Sequence, residues 1–184
     1  MIGLIVLVIV IALVITYIVM YNGLQRAKVN TDEAWSQIDV QLQRRNDLIP
    51  NLVETTKGYA KHERETLDEV VGLRNKIMQL PADAHQEKME ISNQLTDALK
   101  SIFALSENYP DLKASQEFSQ LQEELTNTEN KIAYSRQLFN SSAALYNHKL
   151  VTFPSNMVAH IHHMTKVNYL ETPSAAKEAP KVSF

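Results

Sequence analysis

The sequence predicts an all-α protein in which an N-terminal transmembrane helix is followed by a long antiparallel up-down helical bundle. Three observations support this fold class. Residues 1–21 are hydrophobic apart from Gly3 and Thr16. Glycine occurs only four times in 184 residues, and none follows Gly72. Beyond residue 30, apolar side chains recur at spacings of three, four and seven, which is the period of an amphipathic helix and not of a strand.

The apolar stretch from Met1 to Tyr21 is long enough to cross a bilayer, because a helix of this length extends about 32 Å. The span begins at Ile2. Tyr17 and Tyr21 lie near its exit, where amphipathic rings favour the membrane interface. No basic residue precedes the stretch and the chain has no cysteine to carry a lipid. We therefore expect an uncleaved anchor, not a signal peptide or a lipoprotein.

The charges that follow the span predict its orientation. The first charged side chain is Arg26, and Lys28 comes next. Under the positive-inside rule they place the N-terminus outside and the C-terminal domain in the cytoplasm. We expect four segments along the chain: an anchor at 1–21, a juxtamembrane connector at 22–29, a helical bundle at 30–170 and a flexible tail at 171–184.

The bundle is expected to contain three long helices and one short helix. The buried face of the first is expected at Trp35, Ile38, Leu42, Ile49, Leu52, Thr56 and Tyr59. Pro50 lies inside this pattern and removes one backbone hydrogen bond, so we expect a kink there. Because the apolar phase continues through Leu67 and Val70, the helix is expected to end near Leu80.

Two more long helices and a short one follow. The second is expected to be capped by Asp83 and to end before Pro110, and the third to be capped by Ser115. Their apolar faces are expected at Ile91, Leu95, Ala98, Ile102 and Leu105, and at Phe118, Leu121, Leu125, Thr128, Ile132, Phe139, Ala143, Tyr146 and Leu150. Ser155 is the expected cap of a short helix that carries Met157, Val158, Ile161 and Met164. We expect this helix to fold over the end of the bundle; the alternative is that it lies on a membrane or on a partner helix.

Several long blocks of the sequence closely resemble the LemA family of bacterial membrane-anchored proteins. These blocks are NTDEAWSQIDVQLQRRNDLIPNLVETTKGYAKHE at 30–63, LSENYPDLKA at 105–114, FSQLQEELTNTENKIAYSRQLFNSSAALYN at 118–147, FPSN at 153–156 and AP-x-V-x-F at 179–184. The resemblance implies a single N-terminal span, a long antiparallel helical bundle and no established enzyme activity. The chain departs from the family pattern at His160 to His163, where many members carry apolar or glycine-containing sequence.

Polar residues interrupt the apolar faces of the first and third long helices. Arg45 lies seven residues after Ile38 and four before Ile49, which places it toward the buried side. A buried Arg needs partners, because an isolated charge in the core is strongly destabilising. The other candidates are Asp39, Arg44, Asp47, Asn51, Glu54, Glu129, Arg136, Asn140 and Asn147. We favour an ion-pair network that fixes helix register; the alternative is a groove for a subunit or a ligand.

Familiar catalytic and metal-binding patterns are incomplete in this sequence. His62-Glu63 begins like the zinc motif HExxH, but position 66 is threonine. No glutamate is followed by histidine three residues later, which is the pairing that di-iron bundles use. His160, His162 and His163 could bind a metal weakly or respond to pH, although we favour a solvated face. We expect no cofactor and no catalytic residue.

The predicted function follows from the anchor and from these exclusions. The net charge of -3 does not supply the basic face that nucleic-acid binding requires. We expect a non-enzymatic scaffold of the bacterial inner membrane that contacts lipid and associates with itself, because confinement to a membrane favours weak side-to-side contacts. The alternative is an accessory subunit of a membrane enzyme, and the family resemblance makes a membrane metalloprotease a candidate partner.

Overall fold

A computed structural model of the chain describes residues 1–60 and 62–171, and within these residues all regular structure is helical. The helices are α1 (Ile2–Tyr59), α2 (Arg64–Gln79), α3 (His85–Leu105), α4 (Pro110–Lys113), α5 (Gln116–Val151) and α6 (Ser155–Ile161), with a short 3-10 helix at Ser106–Asn108. The predicted all-α class is confirmed. The up-down order of the helices stays a prediction, and nearly all of the expected tail lies outside the described residues.

Helix α1 is 58 residues long and runs without interruption through the expected connector at 22–29 and past Pro50. Its first part is apolar and exposed to the outside along residues 2–19. The most apolar stretch has a mean hydropathy of 3.3, and none of it is buried. An exposed apolar helix of this length is consistent with a membrane anchor.

The prediction that the first helix continues to Leu80 is wrong. Helix α1 ends at Tyr59, and α2 begins at Arg64. The apolar phase does not reveal this break, because Leu67 and Val70 of α2 are as deeply buried as the core residues of α1. The joint is stabilised by tertiary contacts instead. Ala60 is buried, and the Tyr109 hydroxyl donates a hydrogen bond of 3.1 Å to the Glu63 carboxylate.

That hydrogen bond also affects an ionisation. The Glu63 carboxylate accepts a hydrogen bond from the Tyr109 hydroxyl, which favours the neutral phenol. The negative charge of the same carboxylate disfavours a phenolate. Together with partial burial, these interactions raise the pKa of Tyr109 above its usual value.

The structure also corrects two of the expected helix starts and confirms a third. Ala84, not Asp83, precedes α3, and no side chain caps that helix. Pro154 precedes α6, so Ser155 is its first residue and not its cap. Ser115 does cap α5, because its hydroxyl accepts a hydrogen bond of 3.4 Å from the Phe118 N–H.

Two compact units are present in the described chain, and α1 and α5 contribute to both. The larger unit is built mainly from residues 38–134. Its core takes side chains from α1 to α5, and these buried residues include Ile49, Leu52, Leu67, Val70, Leu95, Ile102, Leu112, Phe118 and Leu125. The expected apolar faces are therefore largely confirmed. Tyr59 is the exception, because it is exposed.

The smaller unit contains residues 1–37 and 135–169. Trp35 and Phe139 meet edge to face in it, with ring centroids 6.0 Å apart. A separate small core joins α6 to α1: Leu24, Val158 and Ala159 are buried together, and Met20, Tyr21, Leu150 and Met164 pack around them. Helix α6 therefore packs on α1 within this unit, and its expected place over the end of the bundle stays a prediction.

Helix α6 ends in a Schellman motif. The Met164 N–H donates to the Ala159 carbonyl and the His163 N–H donates to the His160 carbonyl, at 3.0 and 3.1 Å. His163 has φ 49°, in the left-handed region that the motif requires. Glycine is the usual residue at that position, so His163 adopts a conformation that disfavours a Cβ atom.

Candidate functional site

The larger unit contains a buried arginine at the centre of a polar network. Arg45 follows Leu42 and precedes Ile49 on the buried face of α1, and its side chain is fully buried. One guanidinium nitrogen donates to the Glu129 carboxylate at 2.7 Å and to the Thr96 hydroxyl at 3.0 Å. The other donates to the hydroxyl and the carbonyl oxygen of Ser92, at 2.5 and 3.3 Å. The Glu129 carboxylate therefore balances the charge of Arg45.

Helix geometry explains how the partners reach Arg45. Ser92 and Thr96 are four residues apart and lie on one face of α3, while Glu129 comes from α5. The Thr96 hydroxyl is 3.0 Å from both Glu129 Oε2 and the Ser92 carbonyl, so its single proton has two acceptors within reach. The network links three helices through hydrogen bonds. These bonds are strengthened because the charges of Arg45 and Glu129 are partly removed from water.

Two neighbouring ion pairs extend from the same part of α1. Lys88 of α3 lies 3.1 Å from the Asp39 carboxylate, and Arg44 lies 3.6 Å from Glu124 of α5. The lysine side chain is only 10% exposed, whereas Asp39 and Arg44 are about half exposed. Pairs with such solvent-accessible members contribute little free energy, so Arg45 dominates this site.

A small open cleft lies beside the network. Thr96, Leu99 and Phe103 of α3 line it together with Leu125 and Glu129 of α5, and its volume is about 200 Å³. Glu129 is 35% exposed, so one edge of its carboxylate reaches solvent there. Small-molecule sites are usually larger, about 300 to 1,000 Å³. The arrangement is thus suited to joining helices, and its polar atoms are directed at one another.

The structure places the predicted polar residues in four groups. Arg45 and Glu129 form the network, and Asp39 and Arg44 form the flanking ion pairs. Asp47, Asn51 and Glu54 are exposed and do not join it, because they lie away from the buried face of α1. Asp47 accepts a local hydrogen bond of 2.8 Å from Gln43.

The remaining predicted residues, Arg136, Asn140 and Asn147, belong to the smaller unit. Arg136 and Asn147 are buried, and Asn140 is half buried. The Asn147 amide donates to the Val167 carbonyl at 2.8 Å, and its oxygen accepts from the Val167 N–H at 2.9 Å. This pair of hydrogen bonds attaches the segment after α6 to α5.

Sequence reasoning missed four members of the polar site and its flanking ion pairs. Glu124 of α5 was not among the candidates, and neither were Lys88, Ser92 and Thr96, although Lys88 and Ser92 are buried on α3. The signal was present: both fall at spacings of three and four in register with Leu95 and Leu99, as Arg45 falls in register with Ile49. A polar residue at a core position of one helix indicates that its neighbours on other helices should be searched in the same way.

The histidine cluster lies beside the exit of the apolar segment of α1. The His162 Nε2 is 2.7 Å from the Tyr17 hydroxyl, and the His162 ring lies 4.6 Å from the ring of Tyr21, centroid to centroid. His160 and His163 are exposed. Among residues 1–60 and 62–171, no group of three His, Cys, Asp or Glu side chains is placed to hold a metal ion.

These observations describe an all-helical protein with a long exposed apolar helix, consistent with a membrane-associated protein. The chain belongs to the LemA family, whose family model matches residues 34–184. The resemblance seen in the sequence is thereby confirmed.

Relatives of the chain include a protein described as LemA and proteins described as magnetosome proteins. Protein LemA of Metamycoplasma hominis is 29% identical over 143 residues, which is 78% of this chain and 65% of that protein. The chain thus spans slightly less than two thirds of that relative. Magnetosome protein MamQ of Magnetospirillum gryphiswaldense is 25% identical over 189 aligned positions, covering 90% of this chain and 70% of that protein. Magnetosome protein MamQ 2 of Paramagnetospirillum magneticum is 24% identical with the same coverage.

Proposed function

We propose that this protein is a non-enzymatic helical scaffold, anchored in the inner membrane by the start of α1 and self-associating through an exposed apolar stripe on α5. In this proposal the N-terminus lies outside and the helical domain lies in the cytoplasm, where Arg26 and Lys28 follow the span. The description of two relatives as magnetosome proteins supports a structural role, because it names a cellular assembly and not a reaction.

The continuity of α1 supports the anchored part of the proposal. The same helix carries the exposed apolar stretch and, further along, core residues such as Ile38 and Ile49. The apolar stretch is therefore followed directly by helix and not by a flexible linker.

The stripe on α5 is the observation that carries the self-association. Tyr134 is 69% exposed and Leu145 is 67% exposed, and Leu138 between them is half buried. Their spacings of four and seven residues put all three on one face of the helix. Anchoring in a membrane raises the local concentration of such faces, so that individually weak contacts between copies become effective.

The polar network supports a structural role in preference to catalysis. The guanidinium of Arg45 is directed at Glu129, Ser92 and Thr96, which satisfies its charge inside the protein. A catalytic group, in contrast, must have a pKa and an orientation matched to a substrate in a cleft of suitable size.

The mass of the full-length protein in mild detergent tests this proposal. Light scattering with subtraction of the micelle should give a multiple of the 20.9 kDa chain with no other protein present. The Tyr134→Gln/Leu145→Gln variant should shift the particle toward one chain, because glutamine removes apolar contact area from an exposed surface without opening a cavity.

Ala144→Gln is the matched control, because it adds the same side chain at an exposed position of α5 on a different face. It should leave the mass unchanged. A monomer with a stoichiometric second protein would overturn self-association and favour the accessory-subunit alternative. Equal effects of the double variant and the control would overturn the stripe as the contact surface.

A further inference from the structure

We propose that the exposed face of α6 is a second membrane contact, which inserts into the interface of the same bilayer and prefers anionic lipid headgroups. This inference rests on the membrane anchoring in the proposed function and is independent of self-association. Its evidence is the depth at which α6 is attached, the apolar side chains on its outer face and the charge of the surrounding segment.

The attachment of α6 determines its depth relative to the span. Val158 and Ala159 are buried against Leu24 of α1. His162 contacts Tyr17 and Tyr21, which lie in the last part of the apolar stretch. Tyrosine rings at the end of a transmembrane helix lie at headgroup level. The contacts therefore place the end of α6 at that level, within the reach of lipid.

The outer face of α6 carries apolar side chains beside His160, and no described residue covers them. Met157 and Ile161 are four residues apart on this face, and they are 59% and 61% exposed. Phe153, in the turn between α5 and α6, is also exposed, at 76%. An open cleft of about 610 Å³ adjoins these side chains and is lined by Leu150, Met164 and four other α6 residues beside Met157. Exposed apolar patches of this kind mark contacts with other molecules.

The charge of the region favours an anionic membrane as the occupant. Residues 135–169 contain no Asp or Glu, and the exposed Lys149 and Lys166 lie among them. The Lys149 ammonium lies close to Gly23, 3.5 Å from where a Cβ of that residue would stand. Because Gly23 is two residues after Tyr21, this ammonium lies close to the end of the apolar stretch. Lysine side chains at that level extend toward headgroup phosphates.

The first acidic residues of α1 lie further from the exit. Asp32 is eleven residues beyond Tyr21, roughly 16 Å along the helix axis. Arg26 and Lys28 come before it. The polar groups at headgroup level are therefore basic or neutral, which matches the anionic surface of a cytoplasmic leaflet.

The experiment uses full-length protein in nanodiscs. Since the sequence lacks cysteine, Met157→Cys, Asn127→Cys and Val14→Cys each give one site for a nitroxide label. The label at 157 should be accessible to oxygen and protected from a water-soluble nickel complex. Val14 of the apolar stretch is the lipid reference, and the exposed Asn127 of α5, outside the self-association stripe, is the water reference.

The outcomes separate this inference from the proposal on which it rests. A water-accessible label at 157 with a lipid-exposed label at 14 would overturn the α6 contact and leave the anchor intact. A label at 157 that neither reagent reaches would mean that protein covers the face, which also overturns it. A water-accessible label at 14 would contradict the anchor itself.

The headgroup preference is tested with brominated lipids, which quench a fluorophore attached to the thiol of the Met157→Cys variant. Brominated phosphatidylglycerol should compete for the site better than brominated phosphatidylcholine, by about fivefold for each lysine that contacts it. Lys149→Gln/Lys166→Gln should reduce this ratio toward one, whereas the matched Lys76→Gln/Lys113→Gln variant on α2 and α4 should not. Equal quenching by the two lipids in the unsubstituted lysine background would contradict the preference.

Discussion

The region around Arg45 and the region around α6 depart from ordinary burial in opposite directions. In the first, a charged side chain lies inside an apolar core, and three helices supply its partners. In the second, apolar side chains of α6 lie outside, and no part of the described chain covers Met157 or Ile161. The first exception is satisfied within the protein, whereas in our proposal lipid covers the second. The comparison separates residues that maintain the fold from residues that meet the environment.

The largest expected effect comes from removing the central charge of the network. Arg45→Ala leaves the Glu129 carboxylate without its ion-pair partner and opens a cavity, so the free energy of unfolding should fall by about 3 kcal/mol. Arg44→Ala, at the adjacent exposed position, should change it by less than about 0.5 kcal/mol. Denaturant unfolding of both variants measures the difference.

Arg45→Ala also decides between the two interpretations of the network. Loss of stability with unchanged assembly of the folded fraction supports a structural network. Normal stability with lost assembly would show that the network belongs to a groove for another molecule, and the contrast between the two regions would then disappear.

A smaller effect is expected at Asn147, the buried polar residue that attaches the segment after α6. Asn147→Ala removes both hydrogen bonds to the Val167 backbone, so stability should fall by about 1 to 2 kcal/mol. Hydrogen exchange at the Val167 amide should accelerate. Asn127→Ala, at an exposed position of the same helix, is the control; equal exchange in the two variants would show that Asn147 does not hold this segment.

The smallest effect has the opposite sign. His163→Gly relieves the left-handed conformation at the end of α6 and should stabilise the protein by up to about 1 kcal/mol. His160→Gly, inside α6, should destabilise it by a similar amount, because glycine is unfavourable within a helix. Thermal unfolding distinguishes the two. Destabilisation by both substitutions would indicate that the His163 ring contributes contacts that outweigh the backbone strain.

The periodic residues of the core were predictable from the sequence. Ile38, Leu42, Ile49 and Leu52 recur at helical spacing and are all buried. Arg45 was predictable for the same reason, since its position in the period places it toward the core whatever its charge. Glu129 was among the candidate partners, but its choice over Glu54 could not be derived, because it depends on which face of α5 meets α1.

The break between α1 and α2 was not predictable from local pattern. The apolar phase continues across it, and the residue of lowest helix propensity there is Gly58, a single glycine of the kind that helices tolerate. The contact between Tyr109 and Glu63 joins residues 46 positions apart. Propensity and periodicity describe neighbours along the chain, so they do not contain such a contact.

The amino-acid sequence by itself determined the all-helical class, the apolar stretch and most of the buried apolar positions, because each follows from the composition and spacing of residues close together in the chain. Tertiary structure alone decided where α1 ends, which carboxylate and hydroxyl groups surround Arg45, and that α6 docks beside Tyr17 and Tyr21 with Met157 and Ile161 outward. Those features depend on distances between residues far apart in the chain, and only packing determines these distances.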